Sequence, residues 1–231
     1  MPAPVAVFDL DGTLVDTAPD LLATLDVVLI EAGYEPLPHE HGFGSIGHGS
    51  KVMIEYALNW QNVEPEEAIV KPMHAHFLEY YAENIAVGSR PFDGVGQALD
   101  RLANAGALLA VCTNKYEALS VRLLDALGLT GRFAAVVGPD TLGVRKPDPA
   151  HVLGAIERAG GNRGRAVMVG DSRTDIDAAK AAKVPVIAVD FGYTDTPVRE
   201  LGPNHVISHY DALYDLAAPL LGLSDRPRRS A

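Results

Sequence analysis

Seven polar residues of this chain have side chains suited to metal and phosphate chemistry. They are Asp9, Asp11, Thr113, Asn114, Lys146, Asp171 and Asp175. Carboxylate oxygens are the ligands that a hard cation such as Mg²⁺ prefers. An ammonium or a hydroxyl can donate hydrogen bonds to a phosphate group. Four carboxylates with one ammonium and one hydroxyl are unusual as a structural cluster, but they suit a hard metal ion together with a phosphate.

Each part of this set also has a plain structural explanation. Asp11 precedes Gly12, a pair that is common in turns. Asp171 and Asp175 suit the start of a helix, where carboxylates accept hydrogen bonds from free N–H groups. Lys146 precedes a proline, and alone this dipeptide indicates only a loop. Because all of these features occur in one chain, in this order and beside predicted strands, the chemical interpretation is favoured.

Short apolar runs alternate with helical patterns along most of the chain. Strands are predicted at residues 5–8, 108–112, 134–137, 166–169, 186–189 and 206–207. Helices are predicted at residues 94–105, 117–127, 149–159, 174–182 and 211–221. This alternation predicts an α/β fold, a Rossmann-like doubly wound parallel sheet. Ligands of such sheets bind beyond the carboxyl ends of the strands, which is where the seven residues are expected to lie.

The stretch between the first two predicted strands contains helical patterns only. Helices are predicted from about residue 16 to Gly33 and at 50–60, 65–71 and 72–84. We therefore expect an inserted α-helical cap at residues 16–88, with a core formed by residues 1–15 and 89–224. The tail at 225–231, which contains three arginines, is expected to be disordered.

Composition excludes several classes of function. The chain has 231 residues and a net charge of −11, which argues against general binding to nucleic acid or to a membrane surface. An anionic substrate would be repelled at long range, so a phosphate site needs positive charge of its own. No apolar run approaches the roughly 18 residues of a membrane span. The single cysteine, Cys112, fits a buried apolar position and a reducing, cytoplasmic location.

The motifs resemble those of the haloacid dehalogenase superfamily over essentially the whole chain. The matching segments are Asp9-Leu10-Asp11-Gly12-Thr13, Thr113-Asn114, Lys146-Pro147 and Gly170-Asp171-Ser172 with Asp175. The helical insertion matches the branch of the superfamily that carries an α-helical cap. Within that branch the chain is most similar to bacterial phosphoglycolate phosphatases, on residues 8–17, 46–49, 113–115 and 145–149.

This resemblance implies a magnesium site. In the superfamily the metal ligands would be a carboxylate oxygen of Asp9, the backbone carbonyl of Asp11 and a carboxylate oxygen of Asp171. Asp175 would hold a metal-bound water or orient Asp171 from a second shell. A Mg²⁺ ion keeps several waters and takes only oxygen ligands, which agrees with this set.

The resemblance also implies the roles of the reacting groups. Asp9 would attack phosphorus and form an aspartyl phosphate, and Asp11 would act as general acid and then general base. Lys146 would neutralise charge on the phosphate. Thr113, with backbone amides after Asp11 and Thr113, would bind the phosphoryl oxygens. Asn114 is assigned to the same phosphate loop, either in contact with phosphate or bracing the loop.

Weaker predictions concern the cap and the residue after the second motif. His48, between two glycines, and Lys51 are predicted to contact the substrate, although a surface loop explains them equally well. If they contact the carboxylate of 2-phosphoglycolate, their alanine variants should raise KM for that substrate only. Lys115 could also reach the substrate, but a solvated lysine is the default expectation.

The expected reaction is the Mg²⁺-dependent hydrolysis of a small phosphate monoester, first of all 2-phosphoglycolate. The alternatives are a phosphomutase of the β-phosphoglucomutase type and a promiscuous phosphatase of sugar phosphates or nucleotides. A carbon–halogen dehalogenase is disfavoured, because that branch needs neither Asp11 nor Asp171. A non-catalytic binding protein is disfavoured because every motif is intact. A monomer or a homodimer is expected.

Overall fold

The computed structural model describes residues 2–223, and the predicted disordered tail lies outside them. Eight strands are β1 Ala3–Phe8, β2 Val15–Asp16, β3 Arg90–Pro91, β4 Leu108–Cys112, β5 Ala135–Val137, β6 Gly161–Gly170, β7 Val186–Val189 and β8 His205–Ile207. Ten helices are α1 Ala18–Glu31, α2 His39–Ile46, α3 Ser50–Trp60, α4 Glu67–Glu83, α5 Val95–Asn104, α6 Glu117–Ala126, α7 Pro139–Leu142, α8 Pro149–Arg158, α9 Arg173–Ala181 and α10 Leu213–Leu221.

Six strands form one parallel sheet in the order β5-β4-β1-β6-β7-β8. β1 is central, and its side chains alternate between two apolar clusters: Ala6 and Phe8 face one, Val5 and Val7 the other. Helices α5 and α10 contribute to the first cluster, and α8 and α9 contribute to the second. Both faces of the sheet are therefore covered, and the predicted doubly wound α/β fold is confirmed.

The helical insertion begins and ends at a short antiparallel ribbon. Strand β2 pairs with β3 through Val15 opposite Pro91 and Asp16 opposite Arg90. Helices α1 to α4 lie between these two strands along the chain. The ribbon lies next to the predicted cap boundaries at residues 16 and 88. These boundaries remain a prediction. Asp20, near the start of the insertion, is bonded to Ser89, near its end. The carboxylate of Asp20 accepts hydrogen bonds from the backbone N–H and the hydroxyl of Ser89.

Two helical predictions in this insertion were wrong. The segments 65–71 and 72–84 form a single helix, α4, with Pro72 inside it. Proline removes one helical hydrogen bond, but Val70, Met73, Phe77 and Tyr81 form one buried stripe across it. Packing along this stripe outweighs the local cost of the proline. Helix α2 was not predicted, because its sequence, with two glycines and two histidines, lacks a clear apolar period.

Candidate active site

Residues from three neighbouring strands meet at one edge of the sheet. Asp9 and Asp11 follow β1, Thr113 follows β4 and Asp171 follows β6. Strands β4, β1 and β6 are adjacent and parallel, so their carboxyl ends lie side by side. Lys146 joins them from the loop before α8. All five residues are buried. The most exposed of them, Asp11, is only 7% accessible.

Lys146 lies between two carboxylates. Its Nζ is 2.7 Å from Asp9 Oδ1 and 2.6 Å from Asp175 Oδ1. Burial alone would lower the pKa of Lys146, but the charges of Asp175 and Asp9 override burial and raise the pKa. The ammonium is therefore held in its charged form beside the predicted nucleophile.

Asp9 is held through one of its two oxygens. Oδ1 accepts hydrogen bonds from the Leu10 backbone N–H at 2.7 Å and from Lys146. Among residues 2–223, no donor reaches Oδ2. Burial raises the pKa of Asp9 from 3.8 to about 7; Lys146 opposes this increase, and Asp175 adds to it. The carboxylate is thus fixed in position while one oxygen stays open to reactants.

The site has the charge and donor set of a divalent cation site. Asp9, Asp171 and Asp175 each place one carboxylate oxygen within 4.8 Å of the others. Asp171 is oriented by the Thr13 hydroxyl, which donates to Oδ1 at 2.8 Å, and by the Tyr193 N–H, which donates to Oδ2 at 2.7 Å. Burial, followed by the charges of Asp175 and Asp9, raises the pKa of Asp171 well above its usual value. Three buried carboxylates facing one ammonium leave excess negative charge, which fits a hard divalent cation.

Asp175 differs from the other two carboxylates, because protein donors occupy both of its oxygens. Oδ1 accepts from Lys146, and Oδ2 accepts from the Ser172 backbone N–H at 3.0 Å and the Ser172 hydroxyl at 2.6 Å. The bond from the Ser172 N–H belongs to a capping box at the start of α9. Gly170 permits the close approach, since a Cβ there would lie 2.4 Å from Asp175 Cβ. This arrangement agrees with the predicted outer-shell role, which stays a prediction.

Lys115 is the main departure from expectation at this site. It was expected to be solvated, but only 7% of its side chain is exposed, and its Nζ lies 3.2 Å from Asp11 Oδ1. The same ammonium lies over the ring of Tyr81, 4.4 Å from the centroid. Burial would lower the pKa of Lys115, but Asp11 and then Tyr81 override burial and raise it. Tyr81 belongs to α4, so this contact joins the helical insertion to the sheet edge.

Thr113 lies on the cavity wall, whereas the side chain of Asn114 is bonded to neighbouring backbone groups. The Thr113 hydroxyl lines the cavity and accepts a hydrogen bond from the Lys115 backbone N–H at 3.2 Å. The Asn114 side chain binds the backbone N–H and carbonyl of Lys146 at 3.0 and 3.2 Å, and donates to the Gly47 carbonyl at 3.2 Å. Asn114 therefore braces the loop of Lys146 against the insertion, and its contact with phosphate stays a prediction.

A cavity of about 310 Å³ lies between the helical insertion and the sheet edge. This volume is at the lower end of the range for small-molecule sites. Asp9, Asp11, His48 and Lys51 line it. The Lys51 ammonium is 2.8 Å from Glu67, and 44% of the Lys51 side chain is exposed. The structure thus places His48 and Lys51 on the cavity wall, while their contact with a substrate remains a prediction.

Several residues that orient the site were given no role from the sequence. Thr13 and Tyr193 orient Asp171, Ser172 holds Asp175, and Tyr81 meets Lys115. Tyr193 follows strand β7, so inspecting the loop after that strand would have identified it. The position of Tyr81 depends on how α4 packs onto the core, and no local pattern indicates it.

Comparison with known proteins agrees with the fold. The family model described as haloacid dehalogenase-like hydrolase matches residues 6–189. A phosphoglycolate phosphatase from Mesorhizobium japonicum is 54% identical over 92% of this chain and 94% of its own length. A phosphoglycolate phosphatase from Agrobacterium fabrum is 48% identical over 91% of both chains. The crystal structure of a predicted phosphoglycolate phosphatase from Haemophilus somnus has a TM-score of 0.86 at 29% identity, and covers 93% of this chain and 97% of its own.

The fold and the strand-end carboxylates are those of a phosphoric monoester hydrolase, and the chain belongs to the haloacid dehalogenase-like hydrolase family. Within the family it is similar to bacterial phosphoglycolate phosphatases, so the resemblance inferred from its motifs is confirmed. Among the described residues, none of the helices combines the length and apolar character that crossing a bilayer requires.

Proposed function

We propose that this chain hydrolyses 2-phosphoglycolate to glycolate and phosphate, with Mg²⁺ and through an aspartyl phosphate on Asp9. The observation that carries this proposal is the buried cluster in which Lys146 holds Asp9 beside Asp171 and Asp175, with Asp9 lining a small cavity. The names of the relatives supply 2-phosphoglycolate as the first candidate substrate. A cytoplasmic location and a monomeric or homodimeric state remain predictions.

In the first half of the proposed reaction, an oxygen of Asp9 attacks phosphorus and the bond between phosphorus and the ester oxygen breaks. Asp11 gives its proton to the leaving oxygen, which departs as the alcohol. The Thr113 hydroxyl donates a hydrogen bond to a phosphoryl oxygen. The ammonium of Lys146 fixes Asp9 and offsets the negative charge that two anionic reactants bring together.

In the second half, Asp11 accepts a proton from a water molecule that attacks the same phosphorus. The bond between Asp9 and phosphorus then breaks, which releases phosphate and restores the carboxylate. Asp9, Asp171 and the backbone carbonyl of Asp11 would hold the Mg²⁺ ion, with Asp175 behind them. A bound Mg²⁺ ion would supply charge neutralisation for the phosphoryl group.

A panel of phosphate monoesters assayed with Mg²⁺ tests the proposed activity. We expect 2-phosphoglycolate to have the highest kcat/KM, and chelation with EDTA to abolish turnover. Steady hydrolysis without a bisphosphorylated primer separates a phosphatase from a phosphomutase. Full activity after exhaustive chelation would refute the metal requirement, and strict dependence on a sugar bisphosphate would favour the mutase.

The covalent step has its own test at position 9. Borohydride reduction of the enzyme during turnover should convert an aspartyl phosphate to homoserine, which mass spectrometry can locate. Asp9→Asn should lose turnover by ~10³-fold or more, because the amide is a poor nucleophile. Asp125→Asn, an exposed aspartate on α6, serves as the matched control and should keep wild-type activity. Near wild-type turnover by Asp9→Asn would refute the covalent step.

A further inference from the structure

The buried ammonium of Lys115 is placed for a task that the phosphate chemistry does not use. It lines the cavity and lies 3.2 Å from Asp11, the proposed general acid. Lys146 already pairs with Asp9 and Asp175, deeper in the site. Lys115 therefore provides a second, separate positive charge on the side of the cavity where the leaving group must lie.

The Tyr81 hydroxyl is a second polar group at the same position. Tyr81 lines the cavity and is only 1% exposed. Among the described residues, the only hydrogen-bonding neighbour of its hydroxyl is the Lys115 ammonium. An ammonium can only donate, so the O–H proton of Tyr81 still lacks an acceptor, and such a buried donor on a cavity wall points to an acceptor atom of a ligand.

The position of these two groups relative to Asp11 defines which substrate they can bind. To protonate the leaving oxygen, Asp11 must lie within hydrogen-bonding distance of it. In the phosphate ester of a 2-hydroxy acid, the carboxylate carbon is only two covalent bonds from that oxygen. A cation in contact with Asp11 is therefore within reach of this carboxylate.

We propose that Lys115 and Tyr81 bind the carboxylate of a phosphorylated 2-hydroxy acid and so select this class of substrate. The inference rests on the proposed phosphatase function. Lys115 and Tyr81 would recognise the part of the substrate that lies beyond the phosphate group. An ammonium and a phenolic hydroxyl offer hydrogen bonds to both oxygens of one carboxylate. The ring of Tyr81 also fixes the Lys115 side chain, because the ammonium rests on its face.

The other cations near the cavity are less suited to this role. Lys51 lies 2.8 Å from Glu67 and 3.9 Å from Glu55, and 44% of its side chain is exposed, so two carboxylates and solvent already surround its ammonium. Arg145 lines the cavity but is exposed to solvent. Because water weakens an exposed ion pair, a buried ammonium discriminates more strongly for a carboxylate.

The test compares two esters that differ in one group. One is 2-phosphoglycolate, and the other is 2-hydroxyethyl phosphate, in which a hydroxymethyl group replaces the carboxylate. The quantity measured is kcat/KM for 2-phosphoglycolate divided by kcat/KM for 2-hydroxyethyl phosphate. Any general damage to catalysis affects both values and cancels in this ratio. In Lys115→Met we expect this ratio to fall about 10- to 100-fold, chiefly through KM for 2-phosphoglycolate.

Tyr81→Phe and Lys71→Met complete the series of variants. Tyr81→Phe keeps the ring that supports Lys115 and removes only the hydroxyl, so the ratio should fall about 3- to 10-fold. Lys71 is an exposed lysine on the same helix as Tyr81, and its methionine variant should keep the wild-type ratio. A ratio that is unchanged in both Lys115→Met and Tyr81→Phe would overturn the proposal, whatever the loss in absolute rate.

Binding measurements separate this proposal from the proposed reaction. In the Asp9→Asn background with Mg²⁺, calorimetry should show that Lys115→Met weakens 2-phosphoglycolate binding at least tenfold more than 2-hydroxyethyl phosphate binding. Equal weakening for the two esters would contradict the role of Lys115. Absence of turnover by the wild-type protein on every phosphate ester would instead contradict the proposed function, and the binding result would still decide the role of Lys115.

Discussion

Raising the pH should destabilise the metal-free protein through Asp9. Burial raises the pKa of this carboxyl from 3.8 to about 7 in the folded protein. Between these values the folded state keeps a proton that the unfolded chain has released, so stability falls as the pH rises. The stabilising contribution is fully present below about pH 3.8 and is lost as the pH passes about 7.

The size of this effect follows from the two pKa values. Each pH unit over which only the folded state holds the proton changes the free energy of unfolding by about 1.4 kcal/mol. The interval between 3.8 and about 7 therefore corresponds to about 4 kcal/mol from Asp9. That is a large share of the ~5–15 kcal/mol that stabilises a typical domain.

The assay is urea unfolding between pH 4 and pH 8.5 in the presence of EDTA, for wild type and Asp9→Asn. The amide cannot titrate, so the wild-type stability minus the variant stability should fall by about 4 kcal/mol across this range. Asp125→Asn, which alters an exposed carboxylate, should follow the wild type. Added Mg²⁺ should stabilise the wild type most at high pH, because ionised carboxylates bind the ion.

A difference between wild type and Asp9→Asn that stays flat with pH, or grows with it, would refute this reasoning. Either result would mean that Lys146 compensates the burial of Asp9 completely. The 2.7 Å contact between Lys146 and Asp9 would then outweigh desolvation, and the metal-free site would carry an ionised nucleophile at all the pH values tested.

Three further predictions concern single substitutions. Asp11→Asn should abolish turnover of alkyl esters but still give a burst of nitrophenolate from p-nitrophenyl phosphate, whose leaving group needs no proton; stopped-flow absorbance measures it. Lys146→Met should abolish activity and lower the free energy of unfolding by about 3–5 kcal/mol in urea titrations, because it leaves Asp9 and Asp175 buried without their cation. Tyr193→Phe should raise KM severalfold and cost about 1–2 kcal/mol of stability, since it removes the hydroxyl that binds the junction of the insertion; unchanged KM and melting temperature would contradict this.

The core of the site could be predicted from the sequence because its parts are local. Asp9 and Asp11 directly follow an apolar run that can only be a buried strand, and Asp171 follows another. In a parallel sheet, residues after neighbouring strands converge at one edge, whatever the rest of the chain does. Strand order was not needed to place these groups together, although it decides their distances.

The groups around this core could not be predicted, because they depend on contacts between distant segments. The burial of Lys115 results from Tyr81 packing above it, and a lysine in a loop is solvated in most proteins. The continuity of α4 through Pro72 results from its buried stripe, which local proline rules do not include. In both cases tertiary packing overrides the local preference.

Tyr193 shows how these distant contacts join the metal-ligand edge to the helical insertion. Its backbone N–H holds Asp171 at 2.7 Å, and its hydroxyl donates to Asp16 and accepts from the Ala18 N–H at the junction. Its ring stacks on Phe43 of α2, with centroids 5.9 Å apart. Because one residue contacts all three places, a movement of the insertion that shifts the ring would also act on the loop that orients Asp171. The cavity and the carboxylate beneath it are therefore positioned by the same packing.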